Sequence, residues 1–130
     1  MYSFRVKFRG SFPSAVERTM DELKKEGFGV LTQIDVKATM KTKLGVDGRP
    51  YLILGACNPP FAHKALLAEP DVGILMPCNV VVREEEDRSI TVVFTDVRGV
   101  FTLIGRPEVA PLAEEVHARL VKVSEAVAAA

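Results

Sequence analysis

The segment Tyr51 to Cys57, YLILGAC, carries no charged or amide side chain at any position. A strand with one wet face alternates apolar and polar residues, so a run without alternation is expected inside a sheet, covered on both faces. Asn58 then suits a helix N-cap, and Pro59 suits the first helical position, where its missing N–H costs nothing. A helix is predicted from Pro59 to about Leu67, then a turn around Pro70 to Gly73. A short apolar run, Ile74 to Met76, is cut by Pro77. Cys78 to Arg83 and Ser89 to Thr95 read as two strands of a hairpin, joined by the charged turn Glu84 to Arg88. Tyr51 to Val82 therefore holds both cysteines, each followed by asparagine, and one of the two histidines.

The flanking segments supply the layers. Tyr2, Phe4, Val6 and Phe8 alternate with polar or basic residues, which is a strand pattern of period two. Ser11 or Ser14 can cap the next helix, Ser14 with Glu17 at capping-box spacing. Val16, Met20 and Leu23 form its stripe, and Gly27 stands where it stops. Phe28 to Ile34 reads as a second strand. Asp35, then Val36, Met40 and Leu44, then Gly45, read as a short capped helix, with a continued strand as the competitor because Val36 and Thr39 are β-branched. Val46 to Pro50 is a loop. Asp96 to Gly105 repeats the order Asp, apolar residues, Gly, although VRGVFTL would also serve as a strand. Val109, Leu112, Val116, Leu120, Val123 and Val127 alternate spacings of three and four, the stripe of a long final helix starting at Arg106-Pro107-Glu108. Strands and helices in mixed order, without linker or repeat, predict one α+β domain over residues 1–130, a mostly antiparallel sheet covered by helices.

Composition excludes some classes of function. Lys plus Arg and Asp plus Glu are both 17, so no basic excess points to nucleic acid. No apolar run reaches membrane-spanning length. The opening MYSFRVKFRG alternates rather than forming a continuous apolar stretch, unlike a signal peptide, so a cytoplasmic location is expected. Two cysteines there are expected as free thiols.

The candidate chemistry lies at the two Cys-Asn pairs. Cys57 stands just before a helix start, whose N–H groups and dipole would favour a thiolate, and the small Gly55 and Ala56 leave room for a ligand. Cys78 shares its strand face with Val80 and Val82, which favours burial. The bland alternative is that both are packing residues, since free Cys is among the most buried types. Asn58 would then only cap its helix, and Asn79 would only bond at a strand start. His63 lies six residues after Cys57, but no CxxC or HxxxH spacing accompanies it, so no metal site is expected. His117 follows the stripe residue Val116 and belongs at the core margin or the surface. Gly27-Phe28-Gly29 follows a helix and lacks a third glycine, so it is no nucleotide loop. Glu84 to Asp87 reads as a solvated hairpin tip.

Lys43-Leu44-Gly45, Pro50-Tyr51, the run Ile53 to Pro59 with its Gly-Ala-Cys-Asn-Pro, Ala62 to Leu66, and Leu75 to Val82 with its Pro-Cys-Asn-Val together resemble one pattern. It is that of the bacterial and archaeal domain of unknown function 302, and the resemblance covers nearly the whole chain. Where that pattern often has proline after the aspartate matching Asp96, this chain has Val97. The resemblance implies a compact α+β fold similar to the TATA-binding-protein-like arrangement, without implying DNA binding. It marks Cys57, Asn58, Cys78 and Asn79 as signature positions and implies no known activity or cofactor.

Three functions fit these residues. The first is a small-ligand-binding or regulatory protein, expected as a homodimer and not as an enzyme. Its site would involve Cys57, Asn58, Cys78, Asn79 and His63, with Asn58 and backbone N–H groups holding a small anionic or polar ligand. The second is a thiol-based redox or sulfur-handling protein using Cys57 with Cys78 as partner. The absence of a base beside either cysteine weighs against it. The third is a structural or interaction domain in which the thiols only pack.

Overall fold

The computed structural model describes all residues, 1–130. Five strands form one antiparallel sheet in the order β1-β5-β4-β3-β2. They are β1 (Ser3–Phe8), β2 (Gly29–Asp35), β3 (Tyr51–Cys57), β4 (Cys78–Glu84) and β5 (Ile90–Thr95). The helices are α1 (Phe12–Lys25), α2 (Val36–Leu44), α3 (Pro59–Ala68), α4 (Val97–Phe101) and α5 (Ala110–Ala129), with a 3-10 turn at Pro70–Leu75.

Alternation sorts the strand residues onto two faces. Phe4, Val6 and Phe8 pair with Phe94, Val92 and Ile90, and Phe94 and Val92 in turn adjoin Val80 and Val82. These pack with Leu54, Ala56 and the stripes of α1 and α5 into the core. Val116, Leu120, Val123 and Val127 are buried as the helical spacing predicts. Leu112 is only half-buried and Ala113 takes its place in the stripe, a shift of one residue at the start of the helix.

The other face of the sheet is less fully covered. Arg5, Val93, Val81, Ile53 and Ile34 lie side by side across all five strands. β3 is thus an interior strand as expected, and no residue from Tyr51 to Cys57 is exposed. Its apolar residues on this side meet those of neighbouring strands.

Both short helices after an aspartate are present. Asp35 accepts from Ala38 N at 2.9 Å and Asp96 from Gly99 N at 3.3 Å. A continued strand in either place would have left those carboxylates without these partners. In α1, Ser11 rather than Ser14 is the cap, accepting from Ser14 N at 3.2 Å. The buried side of α1 is Ala15, Thr19, Glu22 and Leu23; of the predicted stripe Leu23 is buried, while Val16 and Met20 are only partly buried. Gly27, at φ +87°, lets Phe28 N reach back to Leu23 O at 2.9 Å and turn into β2.

Candidate functional site

A cleft of about 350 Å³ opens at the end of the sheet where β3 finishes and β4 begins. Ala56, Cys57 and Cys78 line it from the sheet, Pro77 from just before β4, and Phe61, Ala62, Ala65 and Leu66 from α3. Val97 and Phe101 of α4 and Leu112 and Val116 of α5 complete the opposite wall. No lining residue is charged, and 14 of the 17 are hydrophobic. Another depression of similar size is lined by Arg98, Arg106 and Glu114, so size does not distinguish this cleft, whereas chemistry does.

The structure brings Cys57, Asn58 and Cys78 together on this cleft. It leaves Asn79 and His63 out. Asn79 is exposed on the less covered face of the sheet, and its backbone oxygen accepts from Thr95 Oγ1 at 2.8 Å. The strand period places it opposite to Cys78, so the second Cys-Asn pair is split between faces. His63 is exposed on α3 and does not line the cleft.

Asn58 occupies the N-cap position of α3, but its side chain does not cap. Its Nδ2 donates instead to the Glu26 carbonyl at 3.3 Å, and Arg119 Nη1 donates to the same oxygen at 3.1 Å. The end of α1, the start of α3 and the middle of α5 thus meet at one acceptor. A Cβ on Gly27 would stand 3.1 Å from Asn58 Nδ2, so the same glycine that turns the chain also admits this brace. The helix start is a poor anion site for a second reason. Pro59 and Pro60 occupy its first positions, removing two of the backbone donors a helix N-terminus normally offers.

Both cysteines are free thiols. The expected acidic Cys57 is not found, because burial pushes its pKa up, not down. Cys78 is pushed up to about 11, chiefly by burial and secondarily by the nearby Cys57 charge. Each sulfur at neutral pH is a protonated, weakly polar wall group. Gly55 is not open space for a ligand either. A Cβ there would collide with Thr32 Oγ1 and lie 2.9 Å from Pro77 Cγ, both over its outer side.

Sequence reasoning missed the aromatic and aliphatic walls: Phe61, Leu66, Phe101, Leu112 and Phe28. Phe61 with Ala65 and Ala62 with Leu66 recur at four-residue spacing, the one available signal of an apolar α3 face. Above Phe61 lie two cations, Arg119 at 5.1 Å and Lys64 at 6.0 Å from the ring centroid. His117 sits at the core margin, edge-on to Phe4 at 5.4 Å, with Nδ1 3.6 Å from Asp96 Oδ1.

These features define a small α+β protein with a helix-covered antiparallel sheet and an apolar cleft at its end. It belongs to the family described as Domain of unknown function DUF302, whose model matches residues 2–127. The chain is similar to an uncharacterized conserved protein of that family from Bacillus stearothermophilus, known from a crystal structure. The two share 28% identity over 98% of each chain, with a TM-score of 0.90. No curated protein matches the chain. No helix is long and apolar enough to cross a membrane.

Proposed function

We propose that this protein binds a small apolar molecule in the cleft between α3, α4, α5 and the end of the sheet. The carrying observation is the uncharged lining, 14 hydrophobic residues of 17, around about 350 Å³. A cleft of that size holds roughly a dozen water-sized groups, in the lower part of the range for ligand pockets. The anionic ligand suggested by a helix N-terminus gives way to an apolar one, because Asn58 and the two prolines leave few donors there. Catalysis through a thiolate is disfavoured: burial raises both thiols, and no hydrogen bond joins either sulfur to a base.

The neutral fluorophore N-phenyl-1-naphthylamine tests this directly. Its emission should rise saturably with one site per chain, and Ala62→Phe should abolish the rise by filling the half-open wall. An unchanged urea midpoint would show that the variant is folded. Non-saturating emission, or full binding by folded Ala62→Phe, refutes the reading.

A second reading concerns self-association. The half-buried apolar row Val93, Val81 and Ile53, ending at the exposed Ile34, favours a homodimer through this sheet face. The stripe of α5 offers no surplus for such a contact, since Leu120, Val123 and Val127 are spent on the core. Sedimentation equilibrium of the parent and of Val81→Glu decides it: a parent that stays monomeric at micromolar concentration removes the idea.

A further inference from the structure

The chemistry around the cleft mouth narrows the ligand class, on the premise that the cleft binds an apolar molecule at all. Its interior contains no charge, so a charged group of any ligand must remain outside, where water still solvates it. The mouth continues the apolar surface outward: Leu31 and Leu66 line the cleft while remaining 67% and 41% exposed. Leu67 and Ile74, next in the chain to lining residues Leu66 and Gly73, are 72% and 88% exposed.

One cation on this rim is uncommitted. Arg119 is engaged, with Nε on Glu115 Oε1 at 3.3 Å and Nη1 on the Glu26 carbonyl. Glu69, at the end of α3, is held by Arg106 at 3.2 Å. Lys64 makes no ion pair, and its Nζ stands 6.0 Å from the ring of the wall residue Phe61. Glu26 and Asp71 adjoin other walls, next but one in the chain to Phe28 and Gly73.

We infer that the ligand is a single-chain amphiphile with an anionic head: the chain fills the cleft and the head lies outside, against Lys64. The volume sets the length, since roughly a dozen water-sized groups correspond to about ten to twelve chain carbons.

The probes are dodecanoate, 1-dodecanol and dodecylammonium, each below its micelle concentration, displacing N-phenyl-1-naphthylamine from the intact protein. Dodecanoate should displace it at about two- to fivefold lower concentration than dodecylammonium, the scale of a partly exposed charge contact. The preference should shrink with added salt. Lys64→Glu, on an exposed position, should erase or reverse the preference while leaving fluorophore and dodecanol binding intact. Equal displacement by all three probes, or a preference that survives Lys64→Glu, overturns the anionic head while the apolar cleft stands. If neither the fluorophore nor dodecanol binds, the cleft reading fails and the amphiphile with it.

Discussion

Replacing Gly55 by Ala places a methyl group where Thr32 Oγ1 already stands and 2.9 Å from Pro77 Cγ. Neither neighbour is a loose chain end: Thr32 is paired with Gly55 in the sheet, and Pro77 is a ring next to the start of β4. Overpacking of this kind costs about 1–3 kcal/mol. Gly55 lies in extended strand backbone that alanine also adopts, so the less flexible unfolded chain offsets about 0.4–1 kcal/mol. The expected net loss is about 1–2 kcal/mol. Thr32→Ala alone removes an exposed hydroxyl and a methyl and should cost less than about 1 kcal/mol. Combined, the two changes should be less damaging than their sum by about 1 kcal/mol, because Thr32→Ala vacates the space the new methyl needs. Urea unfolding of the parent, both single variants and the double variant measures this, provided the slope m is unchanged. A stable or stabilised Gly55→Ala, or strictly additive effects, would refute the claim that Gly55 exists to admit Thr32 and Pro77.

Other perturbations have defined outcomes. Leu120 is fully buried at the middle of α5, so Leu120→Ala should cost about 2–5 kcal/mol in the same assay, and a loss well under 1 kcal/mol would contradict that burial. Native iodoacetamide labelling followed by mass spectrometry should find both thiols slow at neutral pH, with Cys57 ahead of Cys78; fast labelling at Cys78 would reverse the assignment. Cys78 loses its proton at about 11 in the folded protein against 9.0 ordinarily, so above pH 9 the unfolded chain holds fewer protons than the folded one. Stability should therefore be complete below pH 9 and fall as pH rises toward 11, and Cys78→Ala should flatten that fall in thermal melts; an identical slope in the variant would discount the shift.

The strands were legible where one face meets the core, because alternation at Phe4, Val6 and Phe8 survives in any context. Both short helices were half legible: the local order of Asp, apolar residues and Gly allowed them, but β-branched Val36 and Thr39 and the run VRGVFTL left a strand open in each place. The order of strands was not, since pairing of β1 with β5 depends on contacts between distant segments. The cleft was half legible. Cys57, Asn58 and Cys78 do meet on it, but what they do there depends on residues remote in the chain. Asn58 looked like a cap because the cap is a local motif, while its real partner is a carbonyl at Glu26. Cys57 looked acidic because the helix start is local, while the burial that raises it comes from packing of separate elements. Gly55 looked like ligand space because nothing in its neighbourhood announces Thr32.

Strand order also bears on how the chain is made. Ser3 pairs with Thr95 and Phe8 with Ile90, so β1 leaves the ribosome before the other four strands and its only strand partner is the last of them to emerge. At about 5–20 residues per second, β1 waits unpaired for roughly 5–20 s. During that wait Tyr2, Phe4, Val6 and Phe8 present a strand edge to every neighbouring nascent chain. Arg5 and Lys7, exposed in the finished sheet, interrupt that edge with like charges and hold a second copy off. Their alternation with the aromatics serves synthesis as much as the final structure: it keeps the first strand available until the last one arrives.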